Sequence, residues 1–270
     1  MSWLLGGFLA LLVSMLSYRL KYLSRDGALT AFLMGWLIFG LGKVAFSVVV
    51  LVFFFSSSIL SKVGRARKEE LRDTFQKSGE RDFAQVLANG GIPTVMLIAW
   101  FFSHNPAFVW LFLASLAAAT ADTWATEIGV LSRTAPRAIL GFERVPKGTS
   151  GAISLTGSAG ALAGAFLVAS LGLFVFSLSL NFSVSLRKII IITLIGFAAQ
   201  MVDSFLGATL QVKYKCIGCG AVSERRMHCS GKKTRIVSGL QWMDNDVVNG
   251  LAAVFSVLLG WSSLVLMEGP

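Results

Sequence analysis

Residues Ala107–Gly129 read AFVWLFLASLAAATADTWATEIG. Positions 107–121 carry no charge, and then Asp122 and Glu127 place two carboxylates inside what is otherwise a membrane segment. A membrane-spanning helix needs roughly 17–25 mostly apolar residues. A charged side chain near its centre costs at least about 2.5 kcal/mol, so it faces a bundle interior or an aqueous cavity. The stretch therefore reads as a transmembrane helix whose acids have a task.

Comparable runs recur along the whole chain. It is 55% hydrophobic and 14% charged over 270 residues, against about 25% charged in a soluble domain. Residues 1–270 read as a single integral membrane domain, with a Cys/His-containing loop at 211–240. The apolar runs predict helices at 2–19, 27–42, 44–61, 84–103, 107–131, 153–178, 187–210 and 243–267. This is an all-α polytopic bundle of about eight transmembrane helices, the second and third separated only by the Gly40–Lys43 region. The first run has no basic residue before its apolar core and acquires Arg19 and Lys21 after it. That is the reverse of a secretory signal, and no Arg/Ser-rich transit segment stands out. The first helix is expected to stay in place, and the expected host is a prokaryotic plasma membrane.

The formal net charge is +10. Loops around 19–26, 62–83, 132–150 and 211–240 carry 21 of the 24 Lys and Arg residues, and the alternate loops keep only Lys43, Arg187 and Lys188. Positive loops lie on the cytoplasmic side, which puts both termini on the other side. No nucleic-acid partner is expected, because the basic loops lack the interleaved aromatics of a single-strand binder. Nothing in the sequence supports a homo-oligomer.

On this map the intramembrane acids converge. Asp122 and Glu127 lie toward the cytoplasmic end of their helix, Asp203 in AAQMVDSFLGATLQ, and Asp244 and Asp246 in MDNDVVNG beside Asn245 and Asn249. Gln85 and Asn89 of QVLANGG open the fourth helix at the same level. A lone acid near a helix end is commonly a headgroup-reaching side chain or half of an ion pair. Five acids from three helices, with no basic residue in those helix cores, call for a cation. Carboxylates combined with phosphate oxygens suit Mg²⁺, so Asp122, Asp203 and Asp246 are the candidate magnesium ligands. Asp122 and Glu127 sit about 140° apart around a helix and are not expected to hold one ligand together.

Three further stretches carry chemistry. In ERVPKGTSGAISLTGSAGALAGA, from Glu143 to Ala165, Lys147, Gly148, Thr149, Ser150 and Ser154 precede or open a helix. Backbone N–H groups there suit an anion, although Lys147 stands before the glycines and not after them as in a Walker loop. The small residues at 160–165 read as a helix-packing face. Arg81 lies four residues before Gln85 and eight before Asn89, and would share their face as a phosphate clamp if that helix began early. Finally, CIGCGAVSERRMHC supplies Cys216, Cys219, His228 and Cys229, candidate ligands of a structural zinc. Free thiols or a redox pair are the alternatives, and adjacency of His228 and Cys229 works against a shared ion. His104 falls in an outward loop, which leaves the acidic cluster without a histidine base.

Together ADTWATEIG, KGTSGAISLTG, QVLANGG, VDSFLGATLQ and DNDVVN resemble the integral-membrane family that contains the plant phytyl-phosphate kinase of tocopherol synthesis and the animal transmembrane protein 19. The resemblance extends over about positions 1–265. It implies CTP-dependent phosphorylation of a prenyl monophosphate to the diphosphate. Mg²⁺ would sit on Asp122, Asp203 and Asp246, with Glu127 and Lys147 at the reaction centre. Arg81, Gln85, Asn89, Gly148, Thr149, Ser150, Ser154, Asn245 and Asn249 would be ligands of nucleotide or phosphate. A CTP-dependent prenyl-alcohol kinase, a cytidylyltransferase, and an ion or metabolite transporter are the other readings the residues allow.

Overall fold

The computed structural model describes residues 2–64, 79–229 and 231–267. Most of the basic loop expected at 62–83, residues 65–78, lies outside the described residues. Eight helices of at least 17 residues are described: α1 (Trp3–Arg19), α2 (Arg25–Leu41), α3 (Lys43–Lys62), α4 (Phe83–Ser103), α5 (Pro106–Gly129), α6 (Leu155–Leu180), α7 (Leu186–Thr209) and α8 (Asn245–Met267). The six from α3 to α8 are long and apolar enough to cross a membrane. The helices α1 and α2 have 17 residues each, at the short end of what can span. The chain reverses between α2 and α3 at Gly42 and Lys43, the latter with φ +52°.

Helix α5 is the axis of the bundle. It packs against α3, α4, α6, α7 and α8, and every residue from Val109 to Ala121 is buried. In lipid a buried helix must be covered by other helices, and close approach requires small residues at the contact. Gly160 of α6 illustrates this, since a Cβ there would lie 2.9 Å from the Trp124 carbonyl of α5. The stripe at 160–165 is thus a packing face, as its composition suggests. At one end of the bundle Phe46 stacks among Trp100, Phe112 and Phe176 with ring centroids 4.7–4.8 Å apart. Outward, α1 presents Leu4, Leu5, Phe8, Leu11, Leu12, Met15 and Leu16 exposed.

The opposite end of the bundle gathers the connections predicted to be basic. Lys62 donates from Nζ to the Leu20 carbonyl at 2.5 Å, and Ser24 N–H donates to the Arg81 carbonyl at 3.0 Å. Ser61 of α3 meets Glu127 of α5, and Ser150 meets Glu224 of the last loop. Two of these connections hold strands. Residues Arg137–Ala138 (β1) and Ala152–Ile153 (β2) form a short antiparallel pair. The loop at 211–240 is a four-stranded antiparallel sheet of β3 (Lys213–Cys216), β4 (Val222–Ser223), β5 (Met227–His228) and β6 (Lys232–Ser238), in the order β4-β3-β6-β5. These strands are mostly polar and two to seven residues long, so no apolar alternation announces them.

Candidate active site

The acidic site is built at the ends of α5, α7 and α8. The Asp122 and Asp203 carboxyls, from α5 and α7, lie within hydrogen-bonding reach of each other. Asn249 of α8, with its amide nitrogen turned toward α7, donates to Asp203 Oδ2 at 2.7 Å. Asp246, one turn before Asn249 on α8, is 9% exposed. Two facing carboxylates share a proton, or stay doubly ionised only with a cation between them. Hard carboxylate oxygens with an amide beside them suit Mg²⁺, and Asp122 and Asp203 offer them; among the described residues Asp246 does not converge with the pair into a three-acid group.

Asp244 behaves differently from the other acids. Its Oδ1 accepts from the N–H groups of Asp246 and Val247 at 3.1 Å each, which makes it the N-cap of α8. Its carboxylate serves the helix end. The expected five-acid cluster is therefore smaller on this side.

A fourth acid joins the site from a place the sequence did not advertise. Glu224, between β4 and β5, accepts at Oε1 from Ser150 Oγ at 2.7 Å and from Gln211 Nε2 at 2.9 Å. It also stands close enough to act electrostatically on Asp203. Lys213 faces Glu224 from β3 and donates to the Ala208 carbonyl at 3.0 Å. Burial pulls the Lys213 ammonium below its ordinary pKa, and Glu224 works against that. In the sequence Glu224 sits among SERR, where it reads as a solvated loop charge. Only the sheet that folds 211–240 back brings it here.

The KGTSG segment docks on α7. Gly151 has φ +77°, and a Cβ on it would lie 2.4 Å from the Ala208 nitrogen. Gly207, one turn after Asp203 on α7, receives it: a Cβ on Gly207 would meet the Gly151 nitrogen at 3.2 Å, whereas Gln211 lies past the helix end at Thr209 and bonds Glu224. Thr149 closes a turn onto the Pro146 carbonyl at 2.7 Å, after Gly148 at φ +84°. Ser154 caps α6 by accepting from the Gly157 N–H at 3.0 Å. Lys147 donates from Nζ to the Ser132 carbonyl. Asn245 opens α8, four residues before Asn249.

Glu127 faces away from this cluster, as the 140° spacing expects. Its Oε1 accepts from Ser61 Oγ at 2.5 Å, and Arg81 lies within electrostatic reach. A loop cation thus acts electrostatically on an acid of a helix core. Arg81 itself precedes α4 and does not extend it, because Asp82 caps that helix by accepting from Gln85 N–H at 3.0 Å. Its backbone is held by Tyr22 and Ser24, at 2.9 and 3.0 Å. Burial lowers the Arg81 pKa from its ordinary value, with Glu127 opposing.

Arg81, Gln85 and Asn89 nevertheless line one space. It is a groove with a cavity volume of about 100 Å³, open on one side and bounded by α1, α2, α3, α4 and Leu116 of α5. Its walls are otherwise mostly apolar, from Val13, Met34, Ile38, Phe39, Phe53 and Phe54 among others. From Gln85 to Pro93 on α4 the lining runs about 12 Å. The polar residues gather at the Arg81 end of that run.

The cysteine loop closes on itself. One ligand atom each from Cys216, Cys219, His228 and Cys229 lies within 4.8 Å of all the others. Adjacency of His228 and Cys229 proves no obstacle, because Cys229 takes φ +47° and turns its thiol to 3.1 Å from His228 Nδ1. The Gly218 N–H donates to Cys216 Sγ at 3.3 Å. Such backbone donors hold the Cys216 thiol down at about 6, while the neighbouring thiols push Cys229 up to about 11.

Comparison with known proteins agrees with this architecture. The family model described as integral membrane protein DUF92 matches residues 8–257. Protein PGR of Arabidopsis thaliana is 31% identical over 267 residues, covering 92% of this chain and 91% of that one. The uncharacterized membrane protein MJ0933 of Methanocaldococcus jannaschii is 32% identical over 195 residues, 72% of this chain and 76% of its own. Protein VTE6, chloroplastic, of Arabidopsis thaliana is 26% identical over 251 residues, 91% of this chain and 65% of its own. No solved structure matches the chain.

Proposed function

The chain belongs to the DUF92 family of integral membrane proteins, and from that premise we propose that it is a membrane-embedded kinase of prenyl monophosphates, using CTP as the favoured donor. The observation that carries the proposal is the meeting of Asp122 and Asp203 under Asn249 at the bundle end where the basic connections gather. The resemblance to the family of the plant phytyl-phosphate kinase supplies the reaction. The geometry supports it with two unlike half-sites that share α5.

The donor half lies toward α7 and α8. Asp122, Asp203 and Asp246 would hold Mg²⁺, which would supply neutralisation of the charge on the donor phosphates. Asn249 fixes the orientation of Asp203. The 148–151 segment, docked on α7, places backbone N–H groups and Ser150 beside the nucleotide phosphates. Lys147, Thr149 and Asn245 complete the nucleotide's surroundings.

The acceptor half lies in the groove between α1 and α4. An isoprenoid chain suits its apolar walls, and the monophosphate suits the Arg81, Gln85 and Asn89 end. A phosphate monoester has a second pKa of about 6, so at neutral pH it attacks without a general base. An acceptor oxygen forms a bond to the γ-phosphorus as the bond to the β–γ bridging oxygen breaks, giving the prenyl diphosphate and the nucleoside diphosphate. The dearth of histidine near the acids is consistent with such an acceptor. On the positive-inside rule this end of the bundle faces the cytoplasm, where nucleotide is supplied, and both termini face the other side.

The test is a transfer assay on purified protein with γ-labelled CTP or ATP, Mg²⁺, and phytyl or geranylgeranyl monophosphate. Label in a lipid diphosphate supports the proposal and identifies the donor. Turnover of nucleotide only with a prenyl alcohol, or release of pyrophosphate from CTP, overturns it in favour of the sibling chemistries.

A further inference from the structure

The proposed kinase leaves the cysteine sheet without a task, although the structure ties that sheet to the acidic site. Four soft ligand atoms from Cys216, Cys219, His228 and Cys229 share a sphere no wider than 4.8 Å. A tetrahedral zinc with bonds of about 2.3 Å to sulfur and 2.0 Å to nitrogen needs ligand separations of roughly 3.5–3.8 Å. His228 Nδ1 already stands 3.4 Å from Cys219 Sγ and 3.1 Å from Cys229 Sγ.

The backbone has the form such an ion requires. The first two cysteines lie on a tight turn, with Cys216 N–H donating to the Ala221 carbonyl at 2.9 Å and Gly220 N–H returning to the Cys216 carbonyl at 3.0 Å. Gly220 takes φ +75° to close it. The second pair is made convergent by the left-handed backbone of Cys229, a conformation uncommon outside glycine and its polar neighbours.

Between the two ligand pairs lies Glu224, five residues after Cys219 and four before His228. Its carboxylate receives Ser150 and Gln211, and so links the sheet to the docked KGTSG segment and to the end of α7. We propose that Cys216, Cys219, His228 and Cys229 bind one structural zinc ion, and that the ion holds Glu224 in place as a positioning residue for residues 148–151. The sheet is too small to bury a core of its own, and a metal at its tip supplies the missing constraint. All four positions are taken by protein, so the ion has no open coordination site and does no chemistry on substrate.

The proposal goes beyond the kinase reading and does not need it. The full chain, purified in detergent from zinc-supplemented cells, should carry about one zinc per chain by elemental analysis. Its three cysteines should alkylate at least about tenfold more slowly before chelation than after it. Cobalt exchanged into the site should show the visible bands of a tetrahedral thiolate complex. Cys219→Ser with Cys229→Ser should lose the metal. If that variant misfolds, the stoichiometry and thiol protection of the unmodified chain still decide. The link to the site is read by hydrogen exchange: stripping the zinc should raise exchange at 148–152 as well as at 213–240, and Glu224→Gln should raise it at 148–152 with the zinc retained. A metal content below about a tenth of an ion with freely reactive thiols, or a disulfide between Cys216 and Cys219, overturns the metal site. Unchanged exchange at 148–152 on zinc removal and in Glu224→Gln overturns the coupling. A chain that holds its zinc and transfers no phosphate fails the kinase reading alone.

Discussion

The two carboxylates that interrupt α5 occupy contrasting surroundings. Glu127 looks toward α3 and Arg81, where a serine hydroxyl at 2.5 Å and the field of a half-buried guanidinium answer its charge. Asp122 looks toward α7, where the group that answers it is another carboxylate. A buried charge supplied with partners by its own chain is structural or positioning in kind. A pair of buried carboxylates facing one another is neutralised by a shared proton or by a cation brought from outside. One helix thus presents a hydrogen-bonded acid toward α3 and, on its other side, an acid that faces a second carboxylate.

The largest effect should come from the unsatisfied side. Asp203→Asn or Asp122→Asn removes a magnesium ligand and should lower transfer by at least about a hundredfold, with the variant still monodisperse in detergent. Wild-type turnover in either would remove that residue from the metal site. Next comes the groove. Arg81→Ala should raise KM for the lipid phosphate about tenfold or more while kcat changes less, and Arg81→Lys should recover only part, because a point charge replaces a fork. Equal loss at saturating lipid would contradict a binding role for Arg81.

Smaller changes probe the satisfied acid. Glu127→Gln keeps the Ser61 hydrogen bond and loses the charge opposite Arg81. It should shift lipid KM by several-fold and leave the affinity for metal and nucleotide as it was, measured by titration. Ser61→Ala should cost no more than about 1 kcal/mol of stability by denaturation, and little activity. A Ser61→Ala defect as deep as that of Asp203→Asn would erase the distinction between the two faces of α5.

Much of this was legible in the sequence. The eight helices fall within a few residues of the apolar runs, because length and hydropathy alone dictate which segments suit a bilayer. Asp122, Asp203 and Asn249 were legible for the same reason, since polar residues stand out against an apolar helix. The convergent Cys216, Cys219, His228 and Cys229 showed themselves by residue type and spacing. Glu224 was hidden because a loop acid among arginines looks solvated, and only the pairing of β3 with β6 across Tyr214 and Ile236 folds it back. Asp244 misled for the opposite reason. Next to Asp246 it counted as a member of the acidic cluster, whereas helix ends take carboxylates as caps. The groove was half legible: Arg81, Gln85 and Asn89 share it, but the walls from α1 to α3 come together through long-range packing that no local pattern encodes.

The central claim is that the Asp122–Asp203 pair takes a divalent cation together with nucleotide, and paramagnetic resonance with Mn²⁺ in place of Mg²⁺ tests it most directly. The account predicts one site that tightens when CTP is added, is lost in Asp203→Asn, and persists in Glu127→Gln. Identical Mn²⁺ binding in wild type and Asp203→Asn, with or without nucleotide, would contradict it.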